Sequence, residues 1–497
     1  MKNKDSHLNY IILIILLAFA FFRTYSIHFN YRFPYHHDEW QHLALSMQAI
    51  EEGYNKQHNP YLDIPNYHAD LEPGFHLFLS SFFLITGLDP ILTYQYFAAV
   101  FSVISGLAIF LCCYRLSKNF LIGILSLIVF ISLPSNVNIL GKDFFVPLTM
   151  VIPFIFVYIL FFLQSFREKN SNKFIFSIIL LGLLFFIHPP SFIILLFPSL
   201  FEILFSLNKV KKILSNFPKQ HLYLIFLLFV VSIVLLVWKG SIEGTKNYVL
   251  DLIYFEPGWG KLEITYFIPL LFGLVNTLFA VLGFVKGYKT EFRFFTTFSF
   301  ISLSITAFFN LFGFTLFVPY SRAVHYTMLA LIPLTATGFY AFLKYLNNFL
   351  NLKQKINLKS IFSLIMTLFF MLIILSSKYD LDLKYKYYQN LVMTESDYET
   401  LLWIKDNLGE NNVFITPYFM TSAVYPITNN QVISIIPAQL EGGLREDNLN
   451  FYNYDCEKQK GIISESGAHY ILSHNKLDCD FLEEIYPTQV RIYKIKL

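Results

Sequence analysis

Apolar and polar positions follow one another along this chain in long blocks. Apolar runs fall near residues 8–29, 91–114, 120–133, 145–166, 173–187, 190–207, 221–239, 264–285, 294–312, 323–345 and 361–377. A helix of roughly 20 apolar residues crosses the hydrocarbon core of a bilayer. The pattern therefore predicts a mostly α, polytopic helical membrane protein with about 11 to 13 spans. The stretch 73–89 (PGFHLFLSSFFLITGLD) is also apolar, but counting it as a span reverses the side of every later loop. It is expected to lie at the interface, or to enter and return. Beyond Ser376-Ser377-Lys378 the long runs stop. A helix-like segment from Tyr398 to Leu408 leads into strand-like runs at 412–417, 431–436, 469–473 and 490–496, which predicts a small C-terminal α/β domain. By pattern, residues 1–377 form a multi-span membrane domain with a polar first loop at 30–72. Residues 378–497 form the second domain.

Composition agrees with a membrane protein: 55% of the 497 residues are hydrophobic and 14% are charged, where a soluble chain carries about 25% charged residues. What charge there is has been sorted. The loops at Arg167/Lys169/Lys173, Lys209/Lys211/Lys212/Lys219, Lys286/Lys289/Arg293 and Lys344/Lys353/Lys355/Lys359 are basic. The positive-inside bias puts them in the cytoplasm. Residues 30–72, 134–145, 240–263 and the C-terminal region then lie outside, so a multi-pass cell-membrane protein is expected with a cytoplasmic N-terminus and an extracytoplasmic C-terminal domain. Lys2 and Lys4 precede the first run and no small-residue cleavage site follows it, which reads as a retained anchor. Cys112 and Cys113 sit in an apolar run and read as small hydrophobes. Cys456 and Cys479 lie in the outside domain, where oxidation is permitted, and are the candidates for a disulfide.

The first outside loop concentrates the chemistry. It holds seven of the 34 acidic residues and five of the 13 histidines. Its opening, Tyr35-His36-His37-Asp38-Glu39-Trp40-Gln41-His42, puts ionisable groups at the membrane edge, where they are costly. From Asp38 to Gly53 the periodicity is helical, with Trp40, Leu43, Ala44, Met47 and Ile50 on one face, so an amphipathic helix along the membrane surface is expected. Asp38 would be its N-cap, with Gln41 closing a capping box. A carboxylate at a helix N-terminus stays ionised, as a general base or metal ligand must be. His68-Ala69-Asp70-Leu71-Glu72 forms a second polar cluster, with Glu72 where the chain re-enters the apolar zone. Gly141-Lys142-Asp143 adds a carboxylate and a cation in the next outside loop. His188-Pro189-Pro190 breaks the chain between two spans. Arg322, followed by His325, stands at the outer end of a span; it either snorkels to headgroups or grips a phosphate with its planar fork.

These residues resemble a family. His37-Asp38-Glu39, the helix ending at Gly53, Asn59-Pro60-Tyr61 and Glu72-Pro73-Gly74 resemble the first outside loop of GT-C-fold glycosyltransferases, a group including protein O-mannosyltransferases, aminoarabinose transferases and archaeal relatives. Tyr320-Ser321-Arg322 running into Leu331-Ile332-Pro333-Leu334 is similar to their late span. Leu402-Trp403-Ile404-Lys405-Asp406-Asn407 before a strand is similar to their outside domain. The resemblance implies a hexosyl- or pentosyltransferase of the cell envelope. It would move sugar from a polyprenyl-phosphate donor to an acceptor glycan, lipid or protein at the outer face, with inversion. Asp38 and Glu39 would be catalytic, Asp143 and Glu72 a second acidic position for acceptor or metal, and Arg322 and Lys142 the grip on the donor phosphate. His37, His42, His68, His188 and His325 would support them. The chain departs from the family in two places: the first loop has no DxD pair and the C-terminal region no clear WWD-type motif. That argues against a typical oligosaccharyltransferase and leaves a divalent metal (Mg or Mn) open. No nucleic-acid partner is expected. The alternatives are a transporter or flippase of lipid-linked saccharides, which would carry ionisable groups in mid-span, and a polysaccharide polymerase or ligase, whose key residues lie in a mid-chain loop by family analogy.

Overall fold

The computed structural model describes residues 2–53, 58–62, 64–65, 72–133, 142–215, 254–255, 272–349, 392–436 and 443–496. In chain order its helices begin with α1 (Lys2–Tyr25), α2 (His37–Glu52), α3 (Pro73–Thr86), α4 (Pro90–Tyr94), α5 (Phe97–Ser117) and α6 (Phe120–Ser132). Next come α7 (Pro147–Glu168), α8 (Ser171–Ile187), α9 (Pro189–Phe205) and α10 (Leu207–Ser215). They are followed by α11 (Leu274–Gly287), α12 (Arg293–Phe312) and α13 (Tyr320–Phe349). The last stretch holds α14 (Glu395–Asn407), α15 (Thr421–Thr428), α16 (Arg445–Asn450) and α17 (Cys456–Ser466). The chain forms two compact units. One is built from Met1–Ser26 and Ala98–Lys386, the other from Ile27–Phe97 and Tyr387–Leu497.

The first unit is helical. By length and composition, five described helical segments can cross a membrane: His7–His28, Pro90–Ser117, Pro147–Glu168, Arg293–Phe312 and Tyr320–Leu346. The pair Pro189–Phe205 and Leu207–Ile213 passes the same test as one span bent by 93°. The apolar runs at 120–133, 173–187 and 264–285 give the shorter helices α6, α8 and α11. The runs at 221–239 and 361–377 lie outside the described residues. The hub of this unit is α13, which packs against α6, α11 and α12. Every residue from 323 to 339 is buried, as expected of a helix apolar on all sides. Two of its threonines are satisfied locally: Thr327 and Thr335 donate to the carbonyls of Ala323 and Leu331. α11 meets α13 across glycines. A Cβ on Gly283 would stand 1.7 Å from the Leu334 carbonyl oxygen, and one on Gly338 1.9 Å from that of Phe279. Small residues let helix backbones approach this closely.

The second unit joins the polar loop region after α1 to the C-terminal region. Its sheet has strands β1 (Val413–Ile415), β2 (Gln431–Val432), β3 (Tyr470–Ser473), β4 (Leu482–Tyr486) and β5 (Arg491–Ile495). Their order is β2-β1-β3-β5-β4. β1 is parallel to both neighbours, and β5 is antiparallel to β3 and β4. The core under the sheet gathers Ile415, Ile433, Phe451, Ile462, Ile463, Ile471 and Tyr493. Cys456 and Cys479 form a disulfide with Cα atoms 5.7 Å apart, tying the start of α17 to the approach of β4. Closing a loop with a sequence separation of 23 stabilises by about 3 kcal/mol in the chain-entropy model. Replacing both cysteines by serine is expected to lower the opening free energy of β3–β5 by that order, read as faster amide exchange in the intact protein. Unchanged exchange would show that the bond carries no stability.

Most of α3 belongs to the stretch expected at the interface. At 14 residues it is about 21 Å long, short of a roughly 30 Å hydrocarbon core. The expectation for α2 needs correcting. Its polar face is exposed at Glu51 and Glu52 in the last turn, but Gln41, His42, Ser46 and Gln48 are buried with Trp40, Leu43 and Ala44. Both α3 and α15 pack against it. The polar side chains find partners inside the unit, which is how buried polar groups are retained. The Gln41 amide donates to the Ile436 carbonyl at 2.7 Å, and the Ser46 hydroxyl to the His42 carbonyl.

Candidate active site

The start of α2 is built around a cap other than the one expected. The N-cap is His36, whose extended backbone (φ −123°, ψ 152°) turns its Nδ1 to accept from the Asp38 amide. Glu39 closes the box: its Oε2 accepts from the amides of Tyr35 at 2.7 Å and His36 at 3.1 Å. The side chain of Glu39 is thus turned back along the chain and buried. Asp38 stands in the first turn of α2, where the helix dipole favours its ionised form. Its Oδ1 is 3.6 Å from His36 Nδ1, and 18% of the side chain is exposed.

The two neighbouring histidines respond in opposite directions. Burial works against charge on His36, but the carboxylates of Asp38 and Glu39 outweigh it and raise its pKa. Burial and the charge of His36 lower His37 to about 4, against the pull of Asp38. His37 is therefore neutral at pH 7, with its Nδ1 3.2 Å from the Ser422 hydroxyl. One turn past Asp38 lies His42, the first residue of a buried chain. Its Nδ1 is 2.9 Å from His76 Nε2, so one ring donates to the other. Its Nε2 is 4.0 Å from Glu72 Oε2. Phe75 meets the His42 ring edge to face at 5.1 Å. Tyr61, fully buried, pins this region to α15 by donating to the Ser422 carbonyl at 2.7 Å.

The structure therefore gathers Asp38, Glu39, His37, His42 and Glu72 in the second unit and adds His76. The sequence held a signal for His76: it follows Glu72 by four residues, the spacing that puts both on one helix face. His68 lies outside the described residues.

The other expected residues belong to the first unit. Lys142 is buried and donates to the carbonyls of Ile131 at 2.8 Å and Phe130 at 3.1 Å. There it satisfies the orphan carbonyls that end α6. Asp143, next to it, is partly exposed. Arg322 is partly exposed in the first turn of α13, and His325 one turn on is buried. His188 is the joint of α8 and α9, serving as C-cap of one and N-cap of the other. It forms a polar knot with Ser191 (2.8 Å) and Tyr326 (3.2 Å), whose hydroxyls lie 2.7 Å apart. Neither Ser191 nor Tyr326 was anticipated. Among the described residues, no three His, Cys, Asp or Glu side chains are placed to hold a cation.

No family model matches the chain, and neither does any curated protein sequence. Solved structures do. The apo oligosaccharyltransferase of Archaeoglobus fulgidus superposes at TM-score 0.62 with 12% identity, covering 94% of this chain and 69% of its own. The same enzyme tethered to an acceptor peptide with an NVT sequon gives 0.60 at 13% identity, over 94% and 69%. Its complex with an inhibitory peptide and a dolichol-phosphate, under the name AglB, gives 0.60 at 12%, over 95% and 70%. The chain has the fold of these membrane enzymes, the GT-C fold.

Proposed function

We propose that this chain, built on the GT-C fold, is a membrane glycosyltransferase that takes its sugar from a polyprenyl-phosphate-linked donor at the outer membrane face. The likeness of nearly the whole chain to an oligosaccharyltransferase carries this reading. The Asp38 carboxylate at the start of a buried helix supports it. Asp38 accepts the proton of the acceptor nucleophile, or orients it. The new bond forms at the anomeric carbon as the bond to the carrier phosphate breaks, in one displacement that inverts the centre. Negative charge grows on the departing phosphate, where a cation must stabilise it. Glu39 is a positioning residue, fixing the loop that presents Asp38. Glu72, His42 and His76 hold the next turn. The acceptor is a glycan, a lipid or a protein.

The test is transfer by the purified full-length protein in liposomes. Labelled sugar is offered on a polyprenyl-phosphate carrier or as a nucleotide sugar, with acceptor peptides, lipids and glycans in separate arms. Transfer from the lipid carrier alone supports the proposal. Use of the nucleotide sugar without a carrier, or movement of the carrier across the bilayer without transfer to any acceptor, overturns it.

A further inference from the structure

A cavity of about 270 Å³ opens among helix ends of the first unit. Arg167 reaches it from the end of α7, Glu202 from α9 and Lys209 from α10. Lys289, Glu291 and Arg293 reach it from the connection into α12. Arg293 forks onto Glu202 at 2.6 and 3.2 Å, and Arg167 pairs with Glu291. Those charges cancel. Lys209 and Lys289 make no ion pair among the described residues, so the cavity keeps two uncompensated positive charges.

The helices around it indicate its depth. α10 leaves α9 at 93°, and a short helix perpendicular to a span lies along the membrane surface. Its residues suit that place: Ile213 is buried while Lys209, Lys211 and Lys212 are exposed. Below the bend, Phe201, Leu204 and Phe205 present exposed apolar surface on the last turns of α9. A net-positive cavity at the surface, next to an apolar strip, matches a phospholipid headgroup and its acyl chains.

We propose that this cavity binds the phosphate headgroup of an anionic phospholipid, taken from the leaflet in which α10 lies. The Lys/Arg bias of the flanking loops assigns that leaflet to the cytoplasmic side. Lys209 and Lys289 supply the attraction, and the Arg293–Glu202 pair fixes part of the same lining. The site stands apart from the transfer reaction, and its failure leaves that reading untouched.

Native mass spectrometry of the full-length protein, released from nanodiscs of phosphatidylglycerol and phosphatidylcholine, tests it. Wild type is expected to retain phosphatidylglycerol in preference. Lys209→Gln with Lys289→Gln is expected to lose about 30-fold of that preference, at roughly 1 kcal/mol for each cation. Lys209→Arg with Lys289→Arg, and Lys344→Gln outside the cavity, are expected to keep it. Equal retention of the two lipids by wild type, or an undiminished preference in the double Gln variant, overturns the proposal. A second arm measures acylation of Lys289 in phosphatidylcholine discs. If millimolar inorganic phosphate protects it as well as phosphatidylglycerol does, the site takes a free ion and the lipid assignment falls.

Discussion

An Asp38→Asn variant is expected to reach the membrane at the wild-type level and to transfer sugar about 10²- to 10⁴-fold more slowly, the usual contribution of a positioned proton acceptor. Asn keeps the size of the side chain and leaves the box between His36 and Glu39 intact, because neither bond uses the Asp38 side chain. The loss should therefore fall on kcat and spare KM for the donor. Glu39→Gln supplies the contrast. Its amide oxygen can still accept from the Tyr35 and His36 amides, so a smaller loss is expected, felt first in stability. Lys4→Gln, at the other end of α1, serves as the neutral control. Full transfer by Asp38→Asn at normal expression would remove Asp38 from the reaction. Equal losses in Asp38→Asn and Glu39→Gln would mean that both act on the shape of the loop.

Gly338→Ala is expected to cost about 3 kcal/mol or more in the stability of the membrane unit, at the upper end of what overpacking costs. The added methyl would meet the Phe279 carbonyl oxygen at 1.9 Å and the Gly283 amide nitrogen at 2.7 Å. Backbone cannot swing aside as a side chain can, so α11 and α13 must separate. The same holds for Gly283→Ala, which drives into the Leu334 carbonyl. Gly182→Ala is the matched control: that glycine is also helical but has nothing within 4 Å of the new methyl, and Ala favours a helix over Gly by about 1 kcal/mol. Thermal melts in detergent, followed by size exclusion, read both. A Gly338→Ala protein as stable as Gly182→Ala would mean that the crossing is looser than these contacts imply.

The hydrophobic blocks carried most of the fold, because a helix in lipid must satisfy its own backbone and cannot hide from its sequence. Apolar runs and helices coincide closely at 120–133, 145–166 and 173–187. What the pattern could not convey was pairing. Helical periodicity shows that α2 has an apolar stripe, but not that α3 and α15 cover its polar side. α15 lies far along the chain, and burial of Gln41 depends on a carbonyl at Ile436. The cap is not legible because His36 stands outside the usual Ser, Thr, Asp and Asn set, although its Nδ1 accepts in the same way. β4 was missed because Leu482-Glu483-Glu484 reads as polar; it pairs only with β5, at the end of the sheet. Two signals were present and unread: the Glu72/His76 spacing, and Gly283 with Gly287, the four-residue repeat that marks helix crossings in membranes.

The makeup of the second unit bears on how the protein is made. Its two parts, Ile27–Phe97 and Tyr387–Leu497, are separated by the whole of the long insert between them. At roughly 5 to 20 residues per second, a ribosome needs on the order of 15 to 60 s to pass from one to the other. During that interval α2 has been synthesised, but the Ile436 carbonyl that Gln41 needs and the Ser422 carbonyl that takes the Tyr61 hydroxyl do not yet exist. Until then the nascent first loop keeps those polar groups in water instead of in the bonds they make in the finished unit. Premature termination anywhere before residue 387 leaves it an orphan, so quality control of this chain can read completion from a segment made near its start.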